Sequence, residues 1–211
     1  MAAPAPRDPV ARLADLDAAT VHEAAGRTGD LDPGIRPIQS GATVAGRAVT
    51  AHCHPGDNLA IHRALLAAGP GDVLVVAAGG HLAGYWGEIL AVAAQHKGVA
   101  GLVVDGGCRD TAALRRMGFP VWSAGVCVHG TVKRTAQSVN EPVVAGGVLV
   151  SPGDYVLADD DGVVVVPAAR VGAVLDAAEA RRDKEAAAFA RLRAGATTFD
   201  VLGIEDVGAG G

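Results

Sequence analysis

The hydrophobic pattern of the chain changes rhythm twice. Near the start, residues 20–27 have the spacing of a short helix, and Gly29, Pro33 and Gly34 break the next stretch into a surface loop. Apolar and polar positions then alternate over residues 44–53, which predicts a strand. Residues 58–66 take up helical spacing, with Asp57 or Asn58 as the cap. A strand-then-helix rhythm comes next. An apolar run at 73–77 leads through a glycine-rich loop, 79–87, to a helix over 88–96. A second buried strand at 101–104 leads through a loop, 105–109, to a helix over 110–117 that Gly118 ends; 119–123 gives a third, short strand. From Val143 onward the pattern is that of hairpins. Residues 143–145 and 148–150 flank Gly146-Gly147, and 155–158 and 163–166 flank Asp159-Asp160-Asp161-Gly162. Residues 168–193 predict a long amphipathic helix rich in Ala and Arg.

Strands that alternate with helices and are later joined by hairpins imply an α/β fold, with a mixed sheet or two packed sheets and helices outside. No repeat or linker divides the chain. One domain over residues 1–211 is therefore expected, with a flexible start at about 1–8 and a tail at about 203–211. Half of the 211 residues are hydrophobic but only 3% are aromatic, so the core is expected to be built from small aliphatic side chains. A net charge of -5 without a basic stripe argues against a nucleic-acid partner. No run has the length of a signal peptide or approaches the roughly 20 apolar residues that span a bilayer, so a cytoplasmic protein without membrane contact is expected. Cys53, Cys108 and Cys127 form no CxxC pair and are expected to be free thiols.

The chemistry concentrates where Gly101-Leu102-Val103-Val104 runs through Asp105-Gly106-Gly107-Cys108 into Arg109-Asp110, delivering an arginine and an aspartate to a helix start. Ligands of open α/β sheets sit beyond the carboxyl ends of strands, where this turn must lie. Arg109 offers a permanently charged fork that matches a carboxylate, and Asp110 a hard oxygen suited to Mg²⁺ or Mn²⁺. Two plainer roles compete: Asp110 as the N-cap of its own helix, and Arg109 as a solvated side chain. Asp105 is either a turn former ahead of Gly106 or the group that fixes the arginine. The loop from Gly79 to Gly87 opens a second helix at Glu88, and its glycines let backbone N–H groups approach a carboxylate or enolate. Glu88 either orients metal-bound water or offsets the helix dipole.

Other candidates are weaker. His52, Cys53 and His54 lack further ligands with zinc spacing. The three aspartates before Gly162 suit a hairpin turn better than a calcium loop. Lys97, Lys133 and Lys184 sit in no evidently apolar setting, which disfavours a Schiff base.

Several of these segments together resemble a known family, the 4-hydroxy-4-methyl-2-oxoglutarate and 4-carboxy-4-hydroxy-2-oxoadipate aldolases, grouped with the regulator of ribonuclease activity A. The likeness runs from about residue 20 to 193. It rests on Leu31-Asp32-Pro33-Gly34-Ile35-Arg36-Pro37, on Gly87-Glu88-Ile89-Leu90, on Val104-Asp105-Gly106 through Arg109-Asp110, and on Asp160-Asp161-Gly162 before Val163-Val164-Val165-Val166-Pro167. It implies a layered α/β/β/α sandwich like the swivelling phosphohistidine domain, assembled as a homotrimer or a dimer of trimers. It implies a divalent-metal-dependent class II pyruvate aldolase that cleaves 4-hydroxy-2-oxo acids to pyruvate and a second oxo acid, with oxaloacetate decarboxylase side activity. In that scheme Arg109 binds substrate, Asp110 ligates Mg²⁺ (or Mn²⁺), and Glu88 holds water on the metal. Backbone amides near Gly87, Ile89 and Leu90 meet the pyruvate carboxylate, and Asp105 supports the substrate site. A C-terminal glutamate of a neighbouring subunit completes the set, and Glu185 matches it by position. Val21-His22-Glu23 and Trp86 depart from the family pattern, and His22, Glu23, Arg27 or His54 are candidates for the pocket wall. The rival function is that of the family's other branch, a non-catalytic regulator that binds a ribonuclease E-type enzyme by protein-protein contact. A methyltransferase reading has no support, because no strand and glycine loop of the cofactor-binding kind opens the chain.

Overall fold

The computed structural model describes residues 7–204; the start and tail expected at about 1–8 and 203–211 lie almost wholly outside them. Two short helices come first, α1 (Pro9–Leu13) and α2 (Ala18–Ala24), then a two-residue strand, β1 (Arg36–Pro37). The strand-helix portion comes after them as β2 (Val44–Cys53), α3 (Leu59–Ala67), β3 (Asp72–Ala77), α4 (Glu88–His96), β4 (Gly101–Cys108), α5 (Thr111–Met117) and β5 (Val121–Val126). The chain continues as β6 (Ala136–Val139), β7 (Val143–Ala145), β8 (Val148–Val150), β9 (Tyr155–Ala158), β10 (Val163–Val166), α6 (Val171–Arg193) and α7 (Thr198–Leu202).

The main sheet runs β1-β5-β4-β3-β2-β9-β10, with β6 also on β2. Strands β2 to β5 are parallel to one another, as helical crossovers require, while β1, β6, β9 and β10 join antiparallel. Side-chain alternation then sorts the core into three layers. Leu74, Val76, Leu102 and Val104 point to one face and pack with Ile61, Leu90 and Leu114 of α3, α4 and α5. Val73, Val75 and Val103 point to the other face and pack with Val156 and Val165 of the antiparallel strands, and with Val143 and Val150 of the β7–β8 hairpin. Leu157 and Val164, on the far side of β9 and β10, meet Leu13, Val21 and Leu175 of α1, α2 and α6. The sheet therefore curls over its own inner face with helices on both outsides, which is the expected α/β/β/α layering.

Several boundaries differ from the sequence pattern, each for a local reason. Helix α2 starts at Ala18 because Asp17 accepts from the Thr20 N–H, and it ends where Gly26 and Arg27 turn left-handed (φ 82° and 59°). The last parallel strand, β5, begins at Val121 rather than at residue 119, since Phe119 is drawn into the core against Trp86. The long helix is preceded by a single 3₁₀ turn, and it buries only Val171, Val174, Leu175 and Ala178, so its amphipathic character stops halfway along. The largest correction concerns 105–109: residues 105–108 continue β4, past a register shift between Val104 and Gly107. A Cβ on Gly107 would lie 2.5 Å from the Ala83 carbonyl oxygen, so a glycine is needed for the 79–87 loop to lie against the strand.

Between β2 and α3 the cap alternatives resolve. Asp57 accepts from the Leu59 N–H at 2.9 Å, while Asn58 makes no cap bond. The other Asp57 oxygen accepts from the N–H groups of Arg134 and Thr135, at 2.7 Å each. Burial alone would raise this carboxyl, but the three backbone donors outweigh it and hold the pKa below its ordinary value of 3.8. A depressed carboxyl stabilises the fold fully above the unfolded value and loses that contribution as pH falls through the folded one. The Asp57→Asn variant should accordingly be less stable than wild type at pH 7 by a constant margin down to about pH 5, and the gap should narrow below about pH 4. Urea unfolding across pH 3–8 measures this, and a pH-independent gap would contradict it.

Candidate active site

Two strand ends build the site. The loop after β3 returns alongside the end of β4, where Tyr85 N–H donates to the Gly107 carbonyl (3.0 Å) and Arg109 N–H to the Trp86 carbonyl (2.8 Å). Trp86 is fully buried and stacks on Phe119 with ring centroids 5.6 Å apart, which anchors the loop from below. Immediately after it Gly87 opens α4, and immediately after β4 Arg109 and Asp110 open α5.

Asp110 sits in left-handed backbone geometry (φ 56°, ψ 31°), which is uncommon for a residue with a Cβ and favours functional turns. Its carboxylate does not cap its own helix. Oδ2 instead accepts from the Glu88 N–H, at 3.1 Å, so it caps α4 across the gap between the two units. Oδ1 carries no hydrogen bond from the described residues. Arg109 Nε stands 3.8 Å from Asp110 Oδ2, and each side chain is 43% exposed, which leaves both reachable by a ligand. Close approach sets the glycines here: a Cβ on Gly84 would lie 2.8 Å from Arg109 Cδ, and one on Gly87 would run into Asp110 Oδ2.

Gly87, Ile89, Leu90, Arg109 and Asp110 line a shallow cleft of about 30 Å³, and Asn58 and Tyr85 form its floor. Helix geometry leaves the N–H groups of Ile89 and Leu90 without intrahelical acceptors, beside a guanidinium and at the positive end of α4. Glu88 is exposed between these lining residues. The cleft therefore offers an anion seat beside the hard carboxylate of Asp110. Among the described residues no group of three or more His, Cys, Asp or Glu could hold a metal ion. The Asp110 carboxylate is still of a kind that suits Mg²⁺ or Mn²⁺, because Mg²⁺ is commonly held by one or two carboxylates with water and substrate oxygens filling the rest.

Other predicted residues lie elsewhere. Asp105 is in β4, and its Oδ2 accepts from the Gly146 N–H at 3.2 Å; it neither starts a turn nor touches Arg109, and it lines a separate cavity of about 470 Å³ with Asp32, Gly79 and Gly80. Glu185 pairs with Arg181 (2.9 Å) on α6, in the helical layer against α1 and α2. His22 pairs with Asp30 (3.2 Å) at a third cavity, and Glu23 pairs with Arg27. His54 is exposed and does not line the cleft. His52 is exposed as well while Cys53 points into the core, where burial pushes its thiol up to about 12; the three share no zinc geometry. All three cysteines are free. In the 159–162 turn, Asp159 and Asp160 direct their oxygens to backbone N–H groups of Ala18, Gly41, Asp161 and Gly162. Asn58 was legible only as a cap candidate; the signal for more was the neighbouring Asp57, which already fills that role.

Comparison with known proteins shows what the chain is similar to. Over 159 residues the chain is 36% identical to a Halalkalibacterium halodurans protein provisionally named as a 4-hydroxy-4-methyl-2-oxoglutarate aldolase, covering 74% of this chain and 76% of that one. A Burkholderia multivorans protein with the same provisional name is 37% identical over 72% of this chain and 95% of its own. Among solved structures, Streptomyces coelicolor RraAS2, described as an unusual member of the RNase ES inhibitor RraA family, superposes with a TM-score of 0.77 at 36% identity, over 87% of this chain and 96% of that one. The RNA-processing inhibitor RraA from Thermus thermophilis gives 0.64 at 30% identity, over 71% and 91%. Residues 11–165 match the family model described as RraA-like, Aldolase/RraA. No helix among the described residues is long and apolar enough to cross a membrane. With its parallel strand ends, glycine-spaced cleft and matching relatives, the chain belongs to the RraA-like family.

Proposed function

We propose that this protein is a divalent-metal-dependent pyruvate aldolase acting on 4-hydroxy-2-oxo acids, such as 4-hydroxy-4-methyl-2-oxoglutarate or 4-carboxy-4-hydroxy-2-oxoadipate, with oxaloacetate decarboxylation as a side activity. The observation that carries it is the pairing of the Arg109 guanidinium with the Asp110 carboxylate over the open start of α4. The substrate carboxylate takes the N–H groups of Ile89 and Leu90, and Arg109 faces the 2-oxo oxygen. Asp110 would hold Mg²⁺ or Mn²⁺, with Glu88 holding water on it; the cation, when bound, would polarise the 2-oxo group and stabilise negative charge there. Glu88 positions the water through which the C4 hydroxyl proton passes to its own carboxylate. The C3–C4 bond then breaks, C4 becomes a carbonyl, and the bonding pair passes into the enolate of pyruvate, which is protonated at C3. Arg109 and the helix start stabilise the enolate charge as it forms. Oxaloacetate loses carbon dioxide to the same enolate.

A cleft of about 30 Å³ is too small to enclose such a substrate within one chain, and Glu185 stands in another layer. Both features suit an assembly, a trimer or dimer of trimers, in which a neighbouring copy adds the missing wall and Glu185. A cytoplasmic location goes with the same reading. The regulator reading draws on the likeness to RraAS2 and the Thermus RraA. The unengaged Asp110 Oδ1 and the unpaired helix amides favour catalysis, since a binding module has no use for them.

Pyruvate release from the three substrates, followed with coupled lactate dehydrogenase, should require Mg²⁺ or Mn²⁺ and stop with EDTA; turnover that survives the chelator would remove the metal. Asp110→Ala and Arg109→Ala should each lower kcat/KM by about 10² or more. Full turnover by either variant would take that side chain out of the mechanism. Gly87→Ala should cut kcat/KM roughly tenfold or more, because its Cβ displaces the Asp110 carboxylate. Its thermal midpoint should move little by comparison, and a large stability loss would mark Gly87 as structural only.

A further inference from the structure

Four buried side-chain polar atoms lack a partner among the described residues: Gln39 Oε1, Asn58 Oδ1, His62 Nε2 and Trp86 Nε1. Only Asn58 also lines the cleft of Arg109 and Asp110. Asn58 is 4% exposed, and its Nδ2 donates to the Tyr85 carbonyl at 2.9 Å. A carbonyl accepts only from the nitrogen of an amide, so this bond fixes which way the amide faces and leaves Oδ1 as the buried end without a donor. The residue is also held from its chain neighbour, because Asp57 ties the start of α3 to residues 134 and 135. A buried acceptor without a donor costs about 1–3 kcal/mol, which a folded chain tolerates where a ligand supplies the donor.

We infer that Asn58 Oδ1 accepts a hydrogen bond from the hydroxyl of the bound 2-oxo acid, making Asn58 a specificity residue that selects hydroxylated substrates. This rests on the aldolase reading given above. The other groups of the cleft are matched to different parts of the ligand: the helix amides to its carboxylate, the guanidinium to its 2-oxo oxygen and the Asp110 carboxylate to a cation. None of them is a neutral acceptor suited to a hydroxyl donor, and Asn58 supplies that chemistry. Being neutral, Asn58 does not remove the proton; it holds the C4 oxygen in place while the hydroxyl is bound. A site built to receive a hydroxyl discriminates strongly against a ligand that lacks one.

The test compares two reactions of one protein. Oxaloacetate lacks the C4 hydroxyl, so the ratio of kcat/KM for cleavage of 4-hydroxy-4-methyl-2-oxoglutarate to kcat/KM for oxaloacetate decarboxylation reports on this contact alone. In Asn58→Leu the ratio should fall about tenfold or more, whatever the absolute rates do. Asn58→Ser, which is smaller and keeps an oxygen acceptor, should fall less, and it provides the comparison should the leucine variant fold poorly. A ratio unchanged in both variants, with the two activities falling in parallel, would reduce Asn58 to a brace for the 79–87 loop and overturn the inference while leaving the aldolase reading intact. Wild-type protein inactive on both substrates with Mg²⁺ and Mn²⁺ would overturn the aldolase reading and this inference with it.

Discussion

A side-chain hydrogen bond ties the two helix starts of the site together: the carboxylate just past the end of β4 receives the first N–H of the helix that succeeds β3. Ordinarily an aspartate at such a position caps its own helix. Here the left-handed turn at Asp110 aims the side chain sideways, and the cap is given to α4 instead. That bond dictates the glycines. Gly87 must lack a Cβ for Asp110 to reach, Gly84 must lack one for Arg109 to pass, and Gly107 must lack one for the loop to lie along β4. Trp86, buried below and stacked on Phe119, keeps the loop at that height. The Asp110 carboxylate is thus held by the backbone of the facing helix, and Arg109 is tied to the loop through its own N–H, which is a step toward a preorganised ligand site.

The strands and helices that periodicity could reach were legible wherever packing is local. Residues 44–53, 88–96 and the two hairpins appear where the pattern puts them, because one buried face and a Gly-Gly or Asp-Gly turn suffice to define each. The misses need contacts from afar. Residues 105–108 contain two glycines and an aspartate and read as a loop, but they form strand because the 79–87 loop and Cys127 supply hydrogen-bond partners. β6, of mixed polarity, is a strand only because the exposed edge of β2 awaits it. The short elements α1, β1 and α7 carry too few residues for any period to show.

Site residues divide in the same way. Arg109, Asp110, Gly87, Ile89 and Leu90 meet because each lies at the end of a parallel strand or the start of its helix, and topology alone brings such ends together. Asp105, four residues before Arg109, was drawn in by sequence proximity. The pleat and the register shift turn it toward the β7–β8 hairpin, where it fastens Gly146. Asn58 shows the opposite case: nothing in its neighbourhood along the chain links it to Arg109, and only the return of the 79–87 loop over α3 does so.

Volume is a poor guide to chemistry in this molecule. In the two roomier cavities Asp32 is already engaged by the Gly34 N–H, Asp105 by Gly146 and Asp30 by His22. Folding uses one oxygen of each of those carboxylates to hold turns and hairpins in place, and among the described residues no arginine or lysine lines either cavity to meet the charge of an acid. The cleft between α4 and α5 holds far less space, yet it gathers the groups that the fold leaves open: two helix N–H groups, one carboxylate oxygen, a half-exposed guanidinium and a buried amide oxygen. Their donors and acceptors are of the kinds that an anionic, hydroxylated and cation-chelating small acid would complete. The convergence of complementary donors and acceptors, rather than cavity size, is what marks this cleft as the candidate site.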